Sequence, residues 1–122
     1  MSDYNSRRIS EAELTVMEVL WDAAGPLTAK TLQEELKERR DWERTTVRSL
    51  LTRLTEKGSV TVEKTDVALY TPAFTRAEYA WDLAEVLVER MYDGSGKALA
   101  ADLCAHRRLS TADLDALERK LF

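Results

Sequence analysis

One cysteine, Cys104, and one histidine, His106, are all this chain of 122 residues has of either type. A single thiol excludes an internal disulfide framework and fits a reducing compartment, so the protein is expected in the cytoplasm. Cys104 and His106 lie two residues apart on an expected helix, where their side chains point to different faces. One helix therefore cannot offer both to one metal, and a zinc or copper site would need more soft ligands. Without further histidines or a phosphate-binding glycine loop, the hydroxyl side chains have neither a base nor a cradle. The expectation is a protein that is not an enzyme and uses no metal and no cofactor.

Other features are scarce too. No apolar run approaches the roughly 20 residues that cross a bilayer. Met1–Arg8 lacks the apolar core of a signal peptide, so neither export nor membrane insertion is expected. Two prolines and four glycines leave little to break helices, so each reads as punctuation. No repeat at solenoid periods and no low-complexity stretch occurs. An overall excess of positive charge is missing as well, since the formal net charge is −4. Yet residues 37–64 hold eight Lys or Arg against five acids, a local +3 that leaves −7 elsewhere. Phosphate contacts need only a local cationic face, although such charge can also merely solvate a helix.

What the chain does contain is concentrated between Trp42 and Gly58. Val47, Leu50, Leu51 and Leu54 recur at i, i+3, i+4 and i+7, one apolar stripe of a helix over about Glu43 to Lys57. Thr45, Ser49 and Thr52 face the other way, flanked by Arg48 on one side and Thr46 and Arg53 on the other. This short, hydroxyl-rich and cationic face suits a DNA major groove. Arg can donate two hydrogen bonds to guanine, and Thr offers a hydroxyl or a methyl to base edges. Lys57-Gly58 stops the helix, with Gly free to turn left-handed. The β-branched runs Ser59–Val62 and Val67–Tyr70, joined by a Glu63–Asp66 turn, read as a hairpin.

Upstream, Ser10-Glu11-Ala12-Glu13 is a capping box with Ile9 and Leu14 as staple. It opens a helix to Asp22 that should bury Leu14, Met17, Leu20 and Trp21. After the Gly25-Pro26 break, Pro26-Leu27 suggests a short strand. Thr28 then caps a helix over Ala29–Glu38 with Ala29, Leu32 and Leu36 on its apolar side, and Arg39–Trp42 is a turn. Downstream, Thr75–Glu78 is a second capping box, stapled by Phe74 and Tyr79. Its long helix to Tyr92 places Trp81, Leu83, Leu87 and Met91 on the apolar side. Further helices are expected over Lys97–His106, carrying Leu99 and Leu103, and from Ser110 onward, lined by Leu114, Leu117 and Leu121.

The fold class is therefore mainly α with a small β-hairpin wing. A winged helix-turn-helix domain over residues 1–74 is followed by a helical arm over residues 75–122. About 48 residues of arm are too few to bury a core alone, and an identical chain is the commonest remedy. The arm is thus read as a homodimerisation region, the alternative being an arm that folds back on its own winged helix.

Three stretches carry a resemblance: Ile9 to Trp21 with Met17-Glu18-Val19-Leu20-Trp21, Leu27-Thr28-Ala29-Lys30, and Trp42 with Thr45-Thr46-Val47-Arg48 through Lys57-Gly58. Together they resemble the penicillinase repressor family, which includes β-lactamase and methicillin-resistance repressors and copper-responsive relatives. The match is close over residues 9–58 and looser to the end. The resemblance implies a dimeric repressor of double-stranded DNA, each winged helix reading half of a palindromic operator. It also implies a membrane sensor protease, which in the drug-resistance members cuts the arm between Asn and Phe. The matching position here is Asp102-Leu103, a departure from that pair. Clustered carboxy-terminal cysteines of the copper-responsive members are absent, and Thr65-Asp66-Val67 stands where relatives often carry a basic wing tip.

Geometry and resemblance together place Thr45, Thr46, Arg48, Ser49 and Thr52 at base edges or groove walls. Arg53, Lys57 and Lys64 are assigned to phosphates, which position a protein without specifying sequence. Thr28 and Lys30, at a helix start, add a phosphate anchor. Competing roles exist: Thr46 could pack beside Trp42, and Arg53 could pair with Glu56 or Glu63. Trp21, Trp42 and Trp81 are read as core rather than base-stacking groups. A winged helix that docks an acidic protein partner, without sequence-specific DNA binding, is the alternative.

Overall fold

The computed structural model describes residues 8–122; of the Met1–Arg8 stretch read above for a signal core, all but Arg8 lies outside them. The chain divides into two compact units, one reaching to Asp82 and one from Leu83 to Phe122. The first holds α1 (Glu11–Asp22), α2 (Ala29–Arg40), α3 (Arg44–Glu56), β1 (Val60–Lys64), β2 (Ala68–Pro72) and the first turns of α4 (Arg76–Met91). The second holds the rest of α4, then α5 (Gly96–Ala105) and α6 (Thr111–Leu121).

Helix α1 begins at the expected capping box. The Ser10 hydroxyl accepts from Glu13 N at 3.2 Å, and Ser10 N donates to the Glu13 carboxylate at 2.8 Å. Its buried apolar residues are Val16, Met17, Val19 and Leu20, while Leu14 and Trp21 are half-buried. The expected stripe is thus turned toward Val16 and Val19. The helix packs against α2, α3 and β2 together, which buries a wider arc than one facing surface would. Thr28 caps α2 by accepting from Thr31 N at 3.2 Å. That helix runs to Arg40, past the expected end, because Asp41 takes the left-handed conformation (φ 55°) and closes it. The Asp41 N–H donates to the Leu36 and Lys37 carbonyls, satisfying orphan acceptors of the last turn.

Helix α3 buries Val47, Leu50, Leu51 and Leu54, the stripe read from the sequence. Gly58 at φ 78° donates to Thr55 O, and Ser59 N donates to Leu54 O at 2.9 Å. These two bonds make a Schellman stop. Strands β1 and β2 pair antiparallel, with Val60 opposite Pro72, Val62 opposite Tyr70 and Lys64 opposite Ala68. The ladder extends beyond the expected strands, so the turn is Thr65–Val67. Leu27 forms the short third edge, exchanging bonds with Tyr70 at 3.0 and 2.8 Å.

Leu32 and Leu36 of α2, Met17 of α1, the α3 stripe and Val60 of β1 share one core. At its margin Phe74 and Tyr79 stack at 5.7 Å, with Trp21 tilted against both and its Nε1 donating to Phe74 O at 2.9 Å. The Arg76 guanidinium sits 5.5 Å over the Trp21 ring and pairs with Asp22 at 2.7 Å. The two staple residues predicted for α4 are therefore core members of the first unit.

The second unit repeats the capping grammar. Ser95 accepts from Ala98 N, and Ser110 forms a capping box with Asp113. No residue from Leu83 to Phe122 is buried.

Candidate nucleic-acid interface

Helix α3 sits with its apolar stripe sealed in the core, which forces its other face outward. Thr45, Thr46, Arg48, Ser49, Thr52 and Arg53 are all exposed. The Thr52 hydroxyl donates back to Arg48 O at 3.0 Å, which orients its methyl and lone pairs away from the helix axis. Thr28 is half-buried at the start of α2, and Lys30 and Lys64 are exposed at the start of α2 and the end of β1. A groove of about 300 Å³ is lined by Ala29 of α2, Arg48, Leu51, Thr52, Thr55 and Glu56 of α3, and Lys64 and Tyr70 of the wing. The helix start, the outward helix and the wing therefore meet along one side of the first unit.

The cations of the first unit are unevenly available. Lys37 is held by Asp41 at 2.7 Å and Glu43 at 3.4 Å, and Arg39 by Glu35 at 3.2 Å. The hydrogen-bonded Asp41 carboxylate and its charge, aided by Glu43, hold the Lys37 ammonium above its ordinary range. Arg44 donates to Gln33 Oε1 at 3.2 Å. By contrast Lys30, Arg48, Arg53 and Lys64 form no ion pair among the described residues. The Arg53 pairing with Glu56 or Glu63 weighed from the sequence is not formed.

Lys57 differs from the other expected phosphate ligands. Its Nζ lies 2.6 Å from Glu13 Oε1 and donates to Arg8 O at 3.0 Å. Glu13 is 1% exposed, whereas the ammonium that meets it stays partly exposed at the surface, paired rather than buried. Sequence spacing could not reveal this, because the partners are 44 positions apart. Burial pushes the Glu13 carboxyl up, but hydrogen bonds from Lys57 and Ser10 and the Lys57 charge outweigh it, leaving it below the usual range. Glu56, named from the sequence only as a possible partner of Arg53, shares the outward face one turn beyond Thr52 and adds a negative charge there.

Trp21 and Trp42 are half-buried, in keeping with the interior reading. Trp81 is not: 65% exposed, it lies outside the core of this chain. The buried positions of α4 are Tyr79 and Asp82, and Trp81 points away from that face. Of the other apolar residues assigned to dimerisation, Leu83, Leu87, Met91, Leu114, Leu117 and Leu121 are exposed, and Leu99 and Leu103 are half-buried. Asp102 and Leu103, the matched cleavage position, lie within α5. The Tyr92 hydroxyl donates to Asp102 Oδ2 at 2.8 Å, and this bond holds the phenol above its ordinary value.

A three-helix core, a two-stranded wing and an outward hydroxyl-and-arginine helix define a winged helix-turn-helix of the DNA-binding class. The family model for the penicillinase repressor matches residues 9–122, so the chain belongs to the penicillinase repressor family. The transcriptional regulator BlaI of Mycobacterium tuberculosis is 34% identical over 115 residues, covering 93% of this chain and 83% of that protein. The penicillinase repressor of Bacillus licheniformis is 28% identical over 111 residues, 90% of this chain and 86% of that protein. The solution structure of monomeric B. licheniformis BlaI in complex with the blaP half-operator superposes with a TM-score of 0.52 at 32% identity. That match covers 59% of this chain and 88% of the other. The protein is accordingly a transcriptional repressor and not an enzyme.

Proposed function

We propose that this repressor binds a palindromic operator as a homodimer, each winged helix reading one half-site. The observation that carries the reading is α3: its apolar stripe is fully committed, while Thr45, Thr46, Arg48, Ser49 and Thr52 stand exposed on one side. These five supply base contacts, with the bidentate capacity of Arg48 the strongest source of sequence preference. Arg53, Lys64, Lys30 and the N–H groups behind Thr28 hold phosphates on either side and set the register. Lys57 is left out of this set because Glu13 engages it. The half-operator bound by monomeric BlaI supports one winged helix per half-site.

The second unit joins two such readers. Its exposed Leu83, Leu87, Met91, Leu114, Leu117 and Leu121, with Trp81 just before them, are apolar surface that a second copy would cover. Linking two half-site binders raises the affinity for the full palindrome through effective concentration. Such a repressor acts in the cytoplasm with the chromosome, and no helix among the described residues is long and apolar enough to cross a membrane.

Induction follows from the same linkage: any signal that separates the arms weakens the operator complex. A sensor protease of the family's Asn-Phe specificity meets Asp102-Leu103 here. An aromatic pocket loses roughly 1–3 kcal/mol on such a change, and an unpaired buried carboxylate costs more. Such a protease is expected to cut this chain poorly, and mass spectrometry of the products after incubation checks it.

The test of the central reading is titration of duplex DNA against salt, with a palindromic site and a scrambled one of equal composition. Steep salt dependence with strong preference for the palindrome, by a dimer in sedimentation, is the expected result. Indifference to sequence would leave the protein-docking alternative.

A further inference from the structure

We infer that Glu13 is a positioning residue for operator reading: by gripping Lys57, it sets the angle at which α3 leaves the core. The inference rests on the proposed reading by α3. Capping α1 does not require Glu13 to be buried, because an exposed glutamate can reach back to Ser10 equally well. Here the carboxylate is buried, and its Oε1 receives both Ser10 N at 2.8 Å and Lys57 Nζ at 2.6 Å. Lys57 closes α3 immediately before Gly58, where a cation also meets the negative end of the helix. The same ammonium donates to Arg8 O, so the chain entering α1 is tied to the chain leaving α3.

The arrangement is poor as a stabilising device. Glu13 Oε2 and Ser59 Oγ are buried with no hydrogen-bond partner among the described residues. Only the Glu13 half of the pair is buried, and an ion pair that buries an under-satisfied charge is commonly no better for stability than apolar side chains of similar size. What it provides is intolerance of displacement, since sliding or rotating α3 would strand a buried charge. The other end of α3 has its own tie, Arg44 to Gln33 Oε1 on α2. The reading helix is thereby held at both ends, by α2 at its start and by α1 at its finish. Base-edge hydrogen bonds lose strength steeply with misalignment, so this pose bears on sequence preference.

The experiment uses the full chain, a duplex selected by it from a random-sequence pool, and a scrambled duplex of equal composition. Variants are Glu13→Gln, Lys57→Met, Lys57→Arg and the double variant E13Q/K57M. The double variant leaves no buried charge, so it keeps the test alive should a single one unfold. For folded protein, Glu13→Gln, Lys57→Met and the double variant should each lose about tenfold on the selected duplex, about 1.4 kcal/mol. Binding to the scrambled duplex and its salt slope should stay unchanged, and Lys57→Arg should restore preference. The double variant should lose no more than either single one, as coupled residues do. Full preference in the folded double variant would overturn the inference. A Lys57→Met loss equal on both duplexes, with the salt slope lower by about one, would make Lys57 a phosphate ligand instead. Wild-type protein that selects no duplex would sink the operator reading itself, a result distinct from either.

Discussion

Between Val16 and Tyr79 the first unit buries a continuous apolar core, whereas from Leu83 to Phe122 no residue is buried. Yet the helices of both regions open in the same manner. Ser10 with Glu13, Thr75 with Glu78 and Ser110 with Asp113 all satisfy orphan N–H groups reciprocally. Local signals therefore make helices in either region, and only the first adds a buried core to them. Helices α1, α2 and α3 close on one another and on the hairpin. The Leu114, Leu117 and Leu121 side of α6 is equally periodic but exposed. An element whose stripe is covered within the chain completes a core, and one whose stripe is not covered leaves apolar surface exposed.

The sharpest way to break this contrast is to remove the second unit. A chain ending at Asp82 should remain folded and monomeric, and its affinity for a full palindrome should fall by orders of magnitude through lost avidity. Sedimentation and binding titration check it, and a dimer surviving the cut would move the interface into the first unit. Ending at Phe74 should additionally cost about 2–3 kcal/mol, because Tyr79 loses its buried place against Trp21 and Phe74.

Next in size are single truncations on either side of the divide. Leu54→Ala should destabilise the first unit by about 2–5 kcal/mol, independently of protein concentration. Leu117→Ala should act mainly through assembly, with a denaturation midpoint that shifts with concentration. Denaturant titrations at two widely separated concentrations separate the two behaviours.

Within the reader the effects are smaller. Arg48→Ala should cost about 1–3 kcal/mol on the cognate site and relax preference at one position. Equal loss on a scrambled duplex would reassign Arg48 to a phosphate.

Caps give the smallest effects and refine the comparison. Ser110→Ala should cost roughly 1 kcal/mol of α6 helix, visible in far-ultraviolet circular dichroism of the monomeric arm. Acid should do the same. The N–H of Ser110 and then its hydroxyl hold the Asp113 carboxyl below its ordinary range. A group lowered in the folded state stabilises above its unfolded value, and that contribution vanishes as pH falls through the folded one. Glu13, also lowered, has the same sign in the first unit. Both regions should therefore weaken on the acid side of the carboxylate range, the arm without a packed core to hold its helix.

Most of the fold could be read from spacing. The capping boxes, the Val47–Leu54 stripe, the Gly58 stop and the Thr28 cap are local, and each element appears where its signal lies. The misses are informative because each depends on a neighbour distant in sequence. The α1 stripe is turned because three elements press on it, and the hairpin is longer because cross-strand pairing carries it on to Lys64 and Pro72. Trp81, expected inside, is left outside because the buried positions of α4 within the first unit are Tyr79 and Asp82.

By itself, then, the sequence determined the helices, their caps, the wing and the hydroxyl-and-arginine face of α3, since these follow from periodicity and neighbours within a few residues. Only the tertiary structure decided which cations remain available and which are committed. Lys57 and Arg53 read alike in one dimension, both basic and both late in the same helix. Both stay exposed, but folding brings the buried carboxylate of Glu13 to Lys57 and leaves Arg53 without an ion pair among the described residues. The physical reason is that the cost of burying a charge depends on what is brought beside it in space, and a linear spacing carries no record of that.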